Sequence, residues 1–388
     1  MNTYARLPVS FVRGEGVWLW DAEGRRYLDA LAGIAVSTLG HAHPRLTAAL
    51  SEQASRFIHC SNLYRIPEQE ALAAKLCALS QMDKAFFCTS GAEGNEAAIK
   101  LARAYGHQRG IDVPTIVVME KSFHGRTMAT LTATGNRKVQ AGFEPLLGGF
   151  ARVPYNDAAA VENAAVSNIV AVLVEPVQGE GGVNVASASY LKSLRDICDR
   201  REWLLMLDEV QCGVGRSGRW FAHQHSGIVP DVITLAKGLG SGIPIGTCLA
   251  RGVAAEALKP GSHGSTFGGS PFSCVAALTT ISVIEDERLM GNAIETGDFI
   301  RQGLARALDK VPGVIDIRGV GLMVGVELDR PCAALMQLAL KKGLLINVTA
   351  EKTIRLLPPL IIKRDEAKLL VETLAALVEE FLLDGEPA

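Results

Sequence analysis

The sequence carries no excess of either charge: 39 Lys and Arg stand against 41 Asp and Glu, a formal net of -2. Its densest basic clusters are only pairs (Arg25-Arg26, Arg200-Arg201, Lys341-Lys342), which excludes the broad basic footprint of a nucleic-acid binder. Cysteine occurs but never at short spacing. The eight cysteines, at 60, 77, 88, 198, 212, 248, 274 and 332, stand at least 11 positions apart. C-x-x-C zinc and redox motifs are therefore absent, and a disulfide framework is not expected in so long a chain. No apolar run approaches the ~20 residues of a membrane helix, and Met1-Asn2-Thr3-Tyr4-Ala5-Arg6 is not an apolar leader. The expectation is a cytoplasmic protein with neither membrane nor nucleic acid as partner. The dipeptide of a P-loop, the G-x-S-x-G elbow and H-E-x-x-H are also missing. The histidine pairs His41/His43 and His223/His225 have strand-like i, i+2 spacing. With no third ligand in view they read as structural, and no metal site is expected.

What is present is alternation. At ~150 residues per domain, 388 residues suggest two or three domains. Short runs rich in Val, Ile and Leu recur at Ala85–Cys88, Thr115–Met119, Ile169–Val174, Leu204–Leu207, Val232–Ala236 and Gly246–Ala250. None alternates with polar residues, as expected of strands buried on both faces. Helical patterns at Ala92–Arg109 and Ser189–Arg201 lie between them. The pattern predicts an α/β fold with a mainly parallel sheet covered by helices on both faces. A hairpin is predicted over Val17–Asp21 and Arg26–Asp29; a long helical stretch (Phe272–Glu287, then roughly Asn292–Lys310) leads into the strands of a smaller α+β domain, the first at Val314–Arg318. The expected division is 1–50 as an N-terminal segment packing with the small domain, 51–280 as the large domain, and 281–388 as the small domain.

Ligands of such sheets bind beyond the carboxyl ends of the strands, so the residues following each run carry the chemistry. After Cys88 come Thr89-Ser90-Gly91-Ala92-Glu93 and an Ala-rich helix. Ser90 and Glu93 fit a capping box, and Gly91 allows close approach to a phosphate at the helix start. Taken alone, the segment reads first as an ordinary capped helix. After Leu207 comes Asp208, a carboxylate that needs a partner if buried; a structural ion pair would also supply one. After Ala236 comes Lys237, followed by a glycine-rich turn. Most lysines are solvated, but a desolvated one becomes a nucleophile towards carbonyls. A phosphate cradle, an acid and an imine-forming lysine are together what pyridoxal phosphate requires.

Those residues lie in a longer series of motifs. They include Gly40-His41-Ala42-His43-Pro44, Phe123-His124-Gly125-Arg126-Thr127, Glu175-Pro176-Val177-Gln178-Gly179-Glu180-Gly181-Gly182, Gly264-Ser265-Thr266-Phe267-Gly268-Gly269 and Ile354-Arg355-Leu356-Leu357-Pro358-Pro359. Over nearly its whole length the chain resembles the class III, fold-type I pyridoxal-phosphate aminotransferases. The resemblance implies a seven-stranded central sheet and a homodimer with active sites at the interface. It implies transfer of the terminal amino group of N-acetylornithine to 2-oxoglutarate in a ping-pong cycle of arginine biosynthesis. Succinylornithine, succinyl-diaminopimelate, ornithine and 4-aminobutyrate are the alternative donors. Lys237 would carry the cofactor and shuttle the proton, Asp208 would face the pyridine nitrogen, and Gln211 the phenolic oxygen. Gly91 and Ala92 would hold the phosphate with Thr266 of a neighbouring subunit, and Phe123 would stack on the ring. Arg126 would grip a substrate carboxylate and Ser265 would touch substrate across the interface. Arg355 would take the glutamate α-carboxylate, with Glu180 covering it otherwise. Thr89, Gly94, Ser37 and Gly240-Ser241-Gly242-Ile243-Pro244 depart from the usual family pattern without removing a chemical group.

One motif points elsewhere. Gly213-Val214-Gly215-Arg216-Ser217-Gly218 matches the dinucleotide fingerprint, with Asp231 further on. Against a nicotinamide-dependent oxidoreductase, Asp208 to Gln211 separate these glycines from their strand, and Asp231 precedes a strand instead of ending one.

Overall fold

The computed structural model describes residues 1–164 and 166–383. Three strands open the chain as an antiparallel ribbon, β1 (Phe11–Glu15), β2 (Trp18–Asp21) and β3 (Arg26–Asp29). The helices Pro44–Arg56 and Pro67–Ser80 follow, each starting on a proline, whose fixed φ suits a helix start and whose missing N–H costs nothing there.

The central sheet contains β4 (Lys84–Cys88), β5 (Thr115–Met119), β6 (Phe150–Val153), β7 (Ile169–Val174), β10 (Leu204–Asp208), β11 (Val232–Leu235) and β12 (Gly246–Ala250). Two short strands, β8 (Val177–Gln178) and β9 (Asn184–Val185), form a separate ribbon after β7. The order across the sheet is β4-β12-β11-β10-β7-β5-β6. Only β12 runs against its neighbours, pairing antiparallel with both β11 and β4. Every residue of β5, β7, β10, β11 and β12 is buried, which is why these strands show no polar alternation. Their side chains still divide by parity. Ile116, Leu173 and Met206 pack with Ala98 and Leu101 of the Gly91–Gln108 helix on one face. Val117, Val172 and Leu205 pack with Leu191 and Leu194 of the Ala188–Arg201 helix on the other. The edge strand β6, Phe-Ala-Arg-Val, was not among the predicted runs, because its outer positions are only partly covered and its sequence is not uniformly apolar. Gly94 also has a packing reason: a Cβ there would lie 3.2 Å from the Thr247 carbonyl oxygen of β12, so glycine lets the helix sit against the sheet.

A third sheet, ordered β13-β14-β17-β16, comprises β13 (Val314–Val320), β14 (Met323–Leu328), β16 (Asn347–Thr349) and β17 (Thr353–Leu356). The helices Leu289–Leu308 and Arg364–Leu383 contribute Ile300, Leu304, Leu370 and Leu374 to the cluster that also holds Val324, Val326 and Leu356. The short strand β15 (Leu344–Leu345) leaves this region and pairs in parallel with β3, Leu344 opposite Leu28. His223 and His225 stand on the 3-10 turn Ala222–His225, not on a strand. Glu209 imposes that turn: its buried carboxylate accepts the N–H groups of Ala222 and His223 at 2.7 and 2.9 Å and pairs with His223 Nδ1 at 2.8 Å.

Candidate active site

At the carboxyl edge of the central sheet lies a cavity of about 400 Å³, lined by Gly91, Ala92, Phe123, Asp208, Gln211 and Lys237 among others. One wall is the start of the Gly91–Gln108 helix. Ser90 Oγ accepts the Glu93 N–H at 3.2 Å, but the Glu93 carboxylate turns to the Thr89 N–H at 2.7 Å. The capping box is thus only half formed, since the acid satisfies a donor one residue before the cap. Gly91 and Ala92 lie in the first turn, whose N–H groups have no partner within the helix. A Cβ at Gly91 would meet Val210 at 2.7 Å, so only glycine keeps this turn pressed against the loop that follows β10.

Asp208, the last residue of β10, is 4% exposed. Its Oδ2 accepts from Asn95 Nδ2 at 2.7 Å and from His124 Nδ1 at 2.8 Å, and its Oδ1 from the Val210 N–H at 3.0 Å. A carboxylate only accepts, so His124 carries its proton on Nδ1. The partner that a buried acid requires is therefore supplied by polar donors, not by an arginine. Adjacent Glu209 points to the opposite side of the strand, into the 3-10 turn already described.

Lys237 follows β11 with a φ of 43°, a backbone strain that persists only where the surroundings enforce it. Burial lowers its pKa, and the nearby Glu180 carboxylate opposes that shift only in part. Glu175, at the end of β7, lines the same cavity and accepts the Phe123 N–H at 2.9 Å. Burial, reinforced by the charge of Asp208, raises its carboxyl well above the usual carboxylate range.

A second polar group comes from the C-terminal sheet. Arg355 on β17 is 1% exposed and pairs with Glu180. It also donates to Gln211 Oε1 at 3.2 Å and to Asn347 Oδ1 at 2.7 Å. Burial opposes ionisation of Glu180, but the charge and hydrogen bond of Arg355 outweigh it and hold the carboxyl below its ordinary value. Glu180 sits in the loop between β8 and β9, whose far side Arg318 fixes by donating to the carbonyls of Gly182 and Val183.

Arg126 is exposed, its guanidinium 5.6 Å from the centroid of the Phe123 ring. Both residues also line a second cavity of about 670 Å³ that opens towards Glu180 and Arg318. The structure thus brings Gly91, Ala92, Phe123, Arg126, Asp208, Gln211 and Lys237 to one cavity, with Glu180 and Arg355 beside it. Ser265 and Thr266 do not line it. Their segment is tied by Asn62 Nδ2, which donates to the Ser265 and Gly268 carbonyls at 3.0 and 2.9 Å. Asn95, His124 and Glu175 are the residues that sequence reasoning missed.

The glycines at 213–218 build no dinucleotide turn, because the following regular element is the four-residue 3-10 turn, not a helix whose N-terminus could face a pyrophosphate. Instead Arg216, 1% exposed, reaches across to the carbonyls of Leu322 and Pro358 and ties this loop to the third sheet.

Residues 2–378 match the model of the family described as Aminotransferase class-III. The chain is 62% identical to an acetylornithine aminotransferase of Nitrosomonas europaea over 98% of each chain. Among solved structures, the ornithine aminotransferase of Toxoplasma gondii superposes with a TM-score of 0.94 at 33% identity, covering 100% of this chain and 93% of the other. The acetylornithine aminotransferase of Elizabethkingia anophelis superposes with 0.88 at 33% identity, covering 98% and 96%.

Proposed function

The chain belongs to the class-III aminotransferases, and from that premise we propose that it transfers the terminal amino group of N-acetyl-L-ornithine to 2-oxoglutarate, with pyridoxal phosphate as cofactor. The observation that carries this reading is the convergence of Lys237, Asp208 and the Gly91–Ala92 helix start on one cavity. That set fits the cofactor: the helix start suits a phosphate, the carboxylate a protonated pyridine nitrogen and the amine an aldehyde. The substrate assignment leans on the activity named for the curated relatives.

When bound, the cofactor supplies an electrophilic carbon and an electron sink for the charge left at the substrate carbon. Lys237 serves that chemistry because a lowered pKa leaves more of its amine unprotonated near neutrality, able first to attack and then to move the proton. With the cofactor bound, Asp208 would hold positive charge at the ring nitrogen, and Gln211 would offer its amide towards the phenolic oxygen. Arg126 takes a substrate carboxylate through its planar fork of donors. Arg355 receives the glutamate α-carboxylate when Glu180 withdraws, and Glu180 covers it when the donor brings no matching group. One pocket thereby serves both halves of the cycle. Two copies of the chain complete the site, with Ser265 and Thr266 acting in the neighbour's cavity, since neither faces its own. Exposed Phe57, Ile58, Leu63, Tyr64 and Phe267 support such an interface. Residues 51–280 would form the cofactor-binding part, 281–388 the small domain and 1–50 a segment packed with the latter. The enzyme would work in the cytoplasm; no helix among the described residues is long and apolar enough to cross a membrane.

Steady-state kcat/KM values for N-acetylornithine, N-succinylornithine, ornithine, succinyl-diaminopimelate and 4-aminobutyrate, with 2-oxoglutarate held fixed, test the proposal. N-Acetylornithine is expected to give the highest kcat/KM. A preference of tenfold or more for any other donor overturns the substrate assignment, and no amine transfer with any of them overturns the function.

A further inference from the structure

Building on the functional reading above, we infer that Asn95 is a positioning residue for the cofactor's acid: its amide clamps Asp208 Oδ2 and thereby reserves Oδ1 for the ring nitrogen. The side chain is 1% exposed and fully engaged. Nδ2 donates to Asp208 Oδ2 at 2.7 Å and to the His124 carbonyl at 2.8 Å, and Oδ1 accepts from Thr234 Oγ1 at 2.7 Å. An amide has two N–H donors, and both are spent here. The Asp208 carboxylate and the His124 carbonyl can only accept, so the amide cannot reverse without placing its oxygen against both.

The consequence lies on Asp208. Oδ2 already receives two donors, from Asn95 and His124, while Oδ1 receives only the Val210 N–H. The oxygen with spare acceptor capacity is therefore Oδ1. Asn95 also joins four elements by one side chain. It stands on the helix that begins at Gly91, holds the backbone next to Phe123, touches the end of β10, and is held by β11, the strand that leads to Lys237. A shift of any one would register at Asp208.

The charged and ionisable groups that line the cavity with Asn95 are His124, Arg126, Glu175, Asp208 and Lys237, with the Cys88 and Cys248 thiols on β4 and β12. Burial raises Cys88 to about 12 and Cys248 higher still, so neither thiol ionises in the working range.

The test uses wild-type holoenzyme and two variants, Asn95→Asp and Asn95→Ala, each loaded with pyridoxal phosphate. Single-turnover amine transfer from N-acetylornithine and the visible absorbance of the bound cofactor are read from pH 5.5 to 9.5. In Asn95→Asp the new carboxyl can hold a proton at low pH and donate to Asp208 Oδ2 as the amide does. As pH rises it ionises beside Asp208, where two like charges are disfavoured. The expected result is an alkaline fall of about tenfold in the transfer rate, absent in wild type, with a matching movement of the absorbance midpoint. KM should stay within about threefold. Asn95→Ala removes the clamp without adding charge, and its rate should fall about tenfold at every pH with no alkaline break. Should Asn95→Asp not fold, the rate, KM and absorbance of Asn95→Ala decide the matter. Profiles and spectra that follow wild type, with loss of thermal stability alone, overturn the inference. A wild-type protein that binds no pyridoxal phosphate overturns the functional reading instead, so the two failures are distinguishable.

Discussion

Two carboxylates stand in adjoining cavities, Asp208 in the one at the sheet edge and Glu180 in the one beside it, and they are held in opposite ways. Asp208, at the end of a central strand, is 4% exposed and is held by three polar donors from three parts of the chain. Glu180, on a loop beside the C-terminal sheet, keeps a third of its side chain exposed and faces one arginine. Hydrogen-bond donors fixed by the surrounding fold hold Asp208 in one orientation, so it stays committed to one partner. Arg355 is buried and its partner acid sits on a loop and is a third exposed, so a substrate carboxylate of the same geometry can take the place of Glu180 on the guanidinium. In the proposed cycle the fixed edge would serve the cofactor, common to both half-reactions, and the exchangeable edge the substrates that differ between them.

That contrast breaks most visibly at the fixed edge. Lys237→Ala should lower turnover by about 10⁴-fold or more and abolish covalent cofactor attachment, read by kcat and by absorbance after denaturation. Asp208→Asn leaves the cavity shape intact but removes the charge; steady-state kinetics should show a loss of about 10³-fold in kcat. At the exchangeable edge, Glu180→Ala should slow the acetylornithine half-reaction about tenfold relative to the glutamate half-reaction. An unchanged ratio of the two single-turnover rates would remove Glu180 as the gate. Arg126→Lys keeps a charge but loses the bidentate fork, so KM for the carboxylate substrate should rise about tenfold with attachment of the cofactor preserved.

The smallest effect is on stability. The folded-state pKa of Glu175 lies above its ordinary 4.5, so the folded protein binds an extra proton between the two values. Its contribution is fully present below pH 4.5 and is lost as pH rises through the folded pKa. Glu175→Gln, which mimics the neutral acid, should therefore gain Tm over wild type by a few degrees more at pH 9 than at pH 5. A difference in Tm that does not grow with pH would show that Glu175 is already ionised in the fold.

The sheet was legible because strands buried on both faces leave uninterrupted apolar runs, and β5, β7 and β12 begin and end where those runs do. β6 escaped because an edge strand needs no such run. Lys237, Asp208 and Gly91 stood out as the residues that follow buried strands. Glu175 ends β7 in the same way and could have been found by the same rule. Asn95 left a fainter trace: it shares a helix face with Ala98 and Ala102 at i, i+3 and i+7, a polar residue on a buried stripe. Nothing in the sequence says that its amide meets Asp208, because that contact spans 113 positions and depends on how the helix docks on the sheet. The half-formed box at Ser90 shows a related limit, since spacing places Glu93 at the helix start without choosing between two neighbouring N–H groups.

In the proposed reaction one lysine at the sheet edge carries the cofactor, and reductive trapping reads that directly. Holoprotein treated with borohydride and digested should yield a single phosphopyridoxyl peptide by mass spectrometry, modified at Lys237. Modification at another lysine, or a protein that retains no cofactor, would contradict it.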